Sequence, residues 1–332
     1  MVEAIPHPRE TFDWAGPTEH EEGFLSALAR GRLHHAWMIT GPPGVGKATF
    51  AYRAARRLLG AAPDAQRGLL GSSPVDPVSR QILGRAHPDL LVLQRDPEDG
   101  KTRRNIPVEE ARDLSEFFSK SPAAAPYRVA IIDTADDLNT GAANALLKTL
   151  EEPPPRGVIF LLTTSPGALL PTIRSRCRRL AVLTPARDVA APWVAQRADV
   201  SGSDARRLLD MTLGAPGAAW RLANLDALDA ADAAARLVAA LPAGDEGAAL
   251  ALAEGFRGAQ GATRFGLMFD CLAEAVRARA LSQLGDNGGN ACADAWSRAW
   301  TEMMAVRERV EAVNLDRGEA FLVTLSRLQA LG

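Results

Sequence analysis

GPPGVGKAT, Gly41 to Thr49, is the stretch whose reading decides the fold. A short apolar run, Ala36 to Thr40, precedes it, and a helical segment from Lys47 through Leu59 follows. Strand, glycine-rich turn and helix are the setting that a G-x4-G-K phosphate loop requires. Gly41, Gly44 and Gly46, with Pro42 and Val45 between them, let backbone N–H groups converge on phosphate oxygens, while Lys47 supplies a charge and the helix start its partial positive end. The position after the lysine holds Ala48, where a magnesium-binding hydroxyl is expected. Thr49 comes one residue later, rotated by about 100° around the helix, and is not expected to replace it. The bland alternative, an ordinary glycine-rich turn, leaves the lysine and the flanking elements unexplained.

Outward from this loop, residues 1 to 185 alternate helical segments with short apolar runs: Ala36–Thr40, Asp89–Gln94, Arg128–Asp133 and Val158–Thr164. Continuous apolar runs of this length predict parallel strands buried on both faces, so the fold class is α/β with a P-loop and a parallel sheet. Gly60 to Arg80 is rich in Gly, Pro and Ser and reads as an irregular loop or small insertion. After Pro185 the strand signals stop and Ala-, Leu- and Arg-rich helical patterns continue to the end, broken at Gly214–Gly217 and Leu241–Gly244. The expected domains are 1–185 with the phosphate loop, a small helical domain at 186–240, and a C-terminal helical domain at 241–332. Gly285 to Asn290 reads as a connector, and Asp316 as the cap of a last helix.

The second half of a nucleotide site is expected where the apolar run Arg128–Asp133 ends, because such folds place a metal-binding carboxylate there. Asp133 holds that position, with a strand-end turn residue as the alternative reading. The next residue is Thr134, whose hydroxyl cannot take a proton from water at neutral pH as a carboxylate can; Asp136 reads as a helix cap. Thr164 ends the fourth run at the sheet edge where ligands bind. Arg176 follows a short helix starting near Pro171, placed to reach a neighbouring subunit's phosphate in trans, or to be a plain surface arginine.

With 38 basic and 40 acidic residues and a formal net charge of −2, the chain has no overall bias toward nucleic acid. Local patches at Arg174, Arg176, Arg178 and Arg179, and at Lys101, Arg103 and Arg104, are ordinary solvated runs on their own. Cys177, Cys271 and Cys292 are too few and scattered for a disulfide framework or a four-thiolate metal site. No apolar run reaches the roughly 18 residues of a membrane span, and the start MVEAIPHPRE lacks a leader's basic and apolar regions, so a cytoplasmic address and no membrane partner are expected.

GPPGVGKAT, IIDTADDLN, NALLKTLEEPP, LLTTSPGALLPTIRSRC, GAPG and a terminal NLD follow one another in an order that resembles the bacterial sliding-clamp loader subunits of DNA polymerase III. The resemblance covers nearly the whole chain. It is nearest to the delta-prime subunits, with gamma/tau next, and NALLKTLEEPP with Ser175-Arg176-Cys177 carries most of its specificity. It implies an AAA+ module, a helical lid and an oligomerising collar, with gamma/tau and delta subunits, the sliding clamp and primed DNA as partners. It also implies that Arg176 is an arginine finger, that Thr164 is a sensor, and that His87-Pro88-Asp89 is the family's HPD element. Residues 60 to 88 contain no cysteine, so the zinc module of many such subunits is not expected. Gly217 stands where an active lid carries an arginine, with Arg221 a turn later.

Ala48, Thr134 and Gly217 all point away from hydrolysis while Arg176 is kept. The expectation is a stator that completes a neighbour's site and is not a catalyst by itself. No cofactor is required, although Lys47 and the glycines can hold ATP, ADP, phosphate or sulfate weakly. The alternatives are a gamma/tau-type ATPase motor using Thr49 and Asp133, and an unrelated DNA-binding switch. Lys148 reads as solvated, with an adjacent subunit or the DNA-lined interior of a ring as the alternative, and Glu151 and Glu152 read as helix-end residues without chemistry.

Overall fold

The computed structural model describes residues 6–95, 97–98, 101–102, 105–258, 260–283 and 289–331. Its strands are β1 (Ala36–Thr40), β2 (Leu90–Gln94), β3 (Pro97–Glu98), β4 (Lys101–Thr102), β5 (Arg128–Asp133), β6 (Gly157–Thr163) and β7 (Arg178–Ala181). Five of them form one parallel sheet in the order β2-β5-β6-β1-β7, and β3 pairs antiparallel with β4. The expected α/β class with a parallel sheet is therefore what the chain adopts. Helices α1 (Thr18–Ala29), α2 (Lys47–Leu58), α3 (Pro77–Leu83), α4 (Val108–Ser119), α5 (Thr140–Glu151), α6 (Pro171–Arg174), α7 (Arg187–Ala198), α8 (Gly202–Met211) and α9 (Pro216–Ala223) belong largely to the first of two compact units, residues 1–221.

Period-two alternation in the central strands explains how both faces are covered. Trp37 and Ile39 of β1 pack with Phe24, Phe50 and Phe160 on one face, while Ala36 and Met38 pack with Leu114, Leu146 and Leu150 on the other. Every residue of β1 and β6 is buried, which is why these segments read as unbroken apolar runs. The fifth strand, β7, escaped the sequence reading for the opposite reason. It is an edge strand whose arginines are exposed and whose only buried side chain is Leu180; the guanidinium carbon of Arg178 sits over Trp37, 4.8 Å from its ring centre.

The stretch read as an irregular loop contains a 3-10 turn at Ala65–Arg67 and the start of α3, capped by Asp76 through the amides of Val78 and Ser79. A buried ion pair anchors this stretch. Arg53 of α2 and Glu21 of α1 are 1% and 0% exposed and 2.7 Å apart. Arg53 also donates to the carbonyl of Arg67, and Glu21 accepts from the amide of Leu69, so every strong polar group of the pair is answered. Asp89 has a similar role: it is fully buried and accepts from the amides of Ala123, Ala124 and Ala125 and from Arg128.

The second unit, residues 222–332, is helical throughout its described residues: α10 (Ala227–Ala239), α11 (Glu246–Glu254), α12 (Gly261–Ser282), α13 (Gly289–Val313) and α14 (Arg317–Gln329). Phe256, Phe265, Phe269 and Phe321 stack edge-on or tilted at its centre, with Trp296 buried beside them. Asp316 caps α14 by accepting from the amide of Glu319 at 2.8 Å, as the sequence suggests. The connector read at Gly285 to Asn290 lies mostly outside the described residues, as do Arg103, Arg104 and the side chains of Lys101 and Cys292. Cys177 and Cys271 are free thiols, each pushed up to about 11, in both cases chiefly by burial.

Candidate nucleotide site

The phosphate loop joins β1 to α2, and three of its glycines hold conformations that side chains avoid. Gly41 has φ +152°, Gly44 has φ +74° and Gly46, which caps α2, has φ +105°. Lys47 is buried and folds back over the loop, donating from Nζ to the carbonyls of Gly41 at 2.8 Å and Pro42 at 3.0 Å. Burial draws its ammonium below the usual lysine value, with the carboxylates of Asp133 and Asp136 acting against that.

A cavity of about 330 Å³ opens beside the loop. Of the residues singled out from sequence, Gly44, Val45, Gly46, Lys47, Ala48, Thr49, Asp133 and Thr164 line it; Gly41, Pro42 and Arg176 do not. Thr134 lines it as well. Asp133 ends β5, and burial raises its carboxyl above the ordinary range, opposed by Lys47 and reinforced by Asp137. Thr164 donates both its amide and its hydroxyl to Asp136 Oδ2, at 2.7 and 2.8 Å, and Thr163 donates to Oδ1. Burial works to raise the Asp136 carboxyl, but these hydrogen bonds hold it below the usual value. Asp136 therefore ties the end of β6 to the turn after β5; the helix cap expected of it is supplied to α5 by Asn139, which accepts from the amide of Ala142.

The far wall is aromatic. Trp14 lies over the loop, its ring 3.1 Å from where a Cβ on Gly46 would stand. Trp193 of α7 and Trp220 of α9 meet edge to face at 5.8 Å, and the indole N–H of Trp193 is buried without a partner. Arg197 sits over both rings and pairs with Asp13. Flat rings lining the same cavity as a phosphate loop suit a heteroaromatic base. Sequence reasoning missed this wall because Trp14 stands more than a hundred residues before Trp193 and Trp220 and the three carry no motif. Helix α9 is joined directly to the loop: Gly217 donates its amide to the carbonyl of Gly44 at 2.9 Å. Arg221 also lines the cavity.

Arg176 lies just after α6, 36% exposed. Its guanidinium donates to the carbonyl of Thr172 at 3.0 Å and pairs with Glu151, the last residue of α5, at 3.0 Å. Glu151 thus has a partner that its place in sequence does not disclose. Among the described residues no helix is long and apolar enough to cross a membrane.

Comparison with known proteins places the chain. A family model described as "DNA polymerase III, delta subunit" matches residues 17–185. The chain is similar to DNA polymerase III subunit delta' of Pseudomonas aeruginosa, 34% identical over 58% of this chain and 57% of that protein. It is also similar to subunit delta' of Escherichia coli, 32% identical over 68% of this chain and 65% of that protein. Subunit tau of Escherichia coli is 36% identical over 47% of this chain and 23% of that protein. The match thus spans roughly three fifths of the delta' relatives' length. With the family match extending over half of its residues, and with phosphate loop and sheet in the arrangement just described, the chain belongs to the DNA polymerase III delta subunit family.

Proposed function

We propose that this chain is a delta-prime-type stator of a DNA polymerase III clamp loader. In this reading it holds an assembly of gamma/tau and delta subunits together and presents Arg176 to the ATP site of a gamma/tau neighbour. The assembly loads a sliding clamp on primed DNA in the cytoplasm. Residues 1–185 serve as the AAA+ core, 186–240 as lid and 241–332 as collar.

One contrast carries the proposal. The chain's own cavity has a methyl group at Ala48 and a hydroxyl at Thr134, where hydrolysis needs a metal-binding oxygen and a base, whereas Arg176 stands outside that cavity on the surface. Loss of a general base typically removes about 10²–10⁴-fold in rate. The glycine loop, Lys47 and the tryptophan wall are suited to retaining ATP or ADP weakly, as a bound ligand that is not turned over. The competing motor reading draws on Thr49 and Asp133, which line the same cavity. Measuring ATP turnover by the purified chain separates the two: the stator reading expects release of phosphate no faster than the buffer blank, and robust magnesium-dependent turnover would establish the motor.

A further inference from the structure

A second cavity, of about 230 Å³, lies where the 3-10 turn Pro8–Glu10, α2 and α3 meet the free edge of β2. It shares no lining residue with the phosphate-loop cavity. Leu90, Leu91, Val92 and Ile82 are its apolar lining, and Arg9, Arg85, Tyr52, His87 and Gln94 its polar lining. No carboxylate lines it. Behind Tyr52, one helical turn on, Arg56 is fully buried and donates to the carbonyl of Arg9.

The charges of Arg9, Arg85 and Arg56 all act on the phenol of Tyr52, with the carboxylate of Asp133 acting against them, and they are only partly answered by ion pairs. Glu10 pairs with Arg9 but is 40% exposed, and no ion pair to Arg56 or Arg85 exists among the described residues. Nε of the lining residue Arg9 is buried without an acceptor, as are Nε and Nη1 of Arg56, which lies outside the lining with its guanidinium over the Phe12 ring at 4.1 Å. Buried N–H donors without partners are rare because each costs its full desolvation, and a bound water or ion is their usual explanation. Excess positive charge beside a polar-walled cavity favours the ion.

We propose that this cavity is a binding site for a small oxyanion of the phosphate class. Donors reach it from the 3-10 turn Pro8–Glu10, from α2 and from Arg85, two residues after α3. A single bidentate arginine satisfies a carboxylate, whereas a tetrahedral anion presents an oxygen to each of several donors. The volume admits phosphate or pyrophosphate and falls below the roughly 300 Å³ at which pockets for drug-sized ligands begin. A larger molecule could place only its phosphate there, through an adjoining cavity that shares Arg85 and Gln94.

The test is calorimetric titration of the full chain carrying Lys47→Ala, which silences the phosphate loop, with pyrophosphate at low salt. Saturable one-to-one binding is expected, weakened about tenfold or more by Arg85→Gln and less by Arg85→Lys, which keeps charge but loses the fork. Arg85 is exposed, so both variants should melt as the parent does. Displacement of pyrophosphate by ADP assigns the natural source to a nucleotide's phosphates, and failure of ADP to displace it assigns the source to the free anion. Absence of binding to the Lys47→Ala chain, binding that Arg85→Gln leaves unchanged, or equal affinity for citrate overturns the proposal.

Discussion

The amide of Gly217 lies 2.9 Å from the carbonyl oxygen of Gly44, so the first turn of α9 is hydrogen-bonded to the phosphate loop itself. The fit allows no side chain at either end. A Cβ on Gly217 would stand 2.8 Å from the Gly44 oxygen, and one on Gly44 would stand 2.4 Å from the Ala218 nitrogen. Gly217→Ala is therefore predicted to lower stability, even though alanine gains roughly 0.5–1 kcal/mol over glycine inside a helix. Gly23→Ala is the control: this helical glycine has nothing within 4 Å of its would-be Cβ, and the same substitution should raise stability by that propensity difference. Urea melts of the two variants must move in opposite directions.

Asp89 supplies a pH-dependent part of the stability. Burial works to raise its carboxyl, but three backbone amides and Arg128 outweigh it and hold the group below the usual aspartate value. A depressed folded value means the stabilisation is fully present above the unfolded value of about 3.9 and is lost as pH falls through the folded one. Asp89→Ala leaves Arg128 buried against no charge and should cost about 3–5 kcal/mol at neutral pH. Thermal melts from pH 7 to 3 should show the variant's deficit shrinking at the acid end.

The central sheet was legible in sequence because β1, β5 and β6 are buried on both faces and leave continuous apolar runs. β7 was not, since an edge strand written Arg-Arg-Leu-Ala has one buried side chain from which to read a pattern. The phosphate loop announced itself through glycine spacing, a local property of the chain. What the chain assembles over long separations stayed hidden: the Trp14, Trp193 and Trp220 wall, the Asp136 tether to Thr163 and Thr164, and the pairing of Glu151 with Arg176. Each depends on which elements the sheet brings side by side, and spacing along one segment does not encode that.

Ala48 and Thr134 are separate deficits, so restoring one should not restore the other's role. Ala48→Ser returns a hydroxyl to the position after Lys47 and should make nucleotide affinity magnesium-dependent without producing turnover. Adding Thr134→Glu supplies a base and should produce slow hydrolysis in the double variant only. Fluorescent-nucleotide titrations with and without Mg²⁺, followed by phosphate-release assays, check both halves.

The pair between Arg176 and Glu151 is half open to water, with side chains 36% and 52% exposed, so its worth is about 0–1 kcal/mol. Glu151→Ala should leave the melting midpoint nearly unchanged. On the stator proposal, a hold this weak would yield to a neighbour's triphosphate, which offers more charge and more acceptor oxygens.

The most direct test of the stator account is single-turnover ATP hydrolysis by a loader reconstituted from this chain with gamma/tau and delta subunits, comparing the parent with Arg176→Ala. An arginine finger is worth about 10³–10⁵ in rate. The account predicts that the burst loses the amplitude of one site, while assembly and the remaining sites are unaffected. An unchanged burst with Arg176→Ala would contradict it.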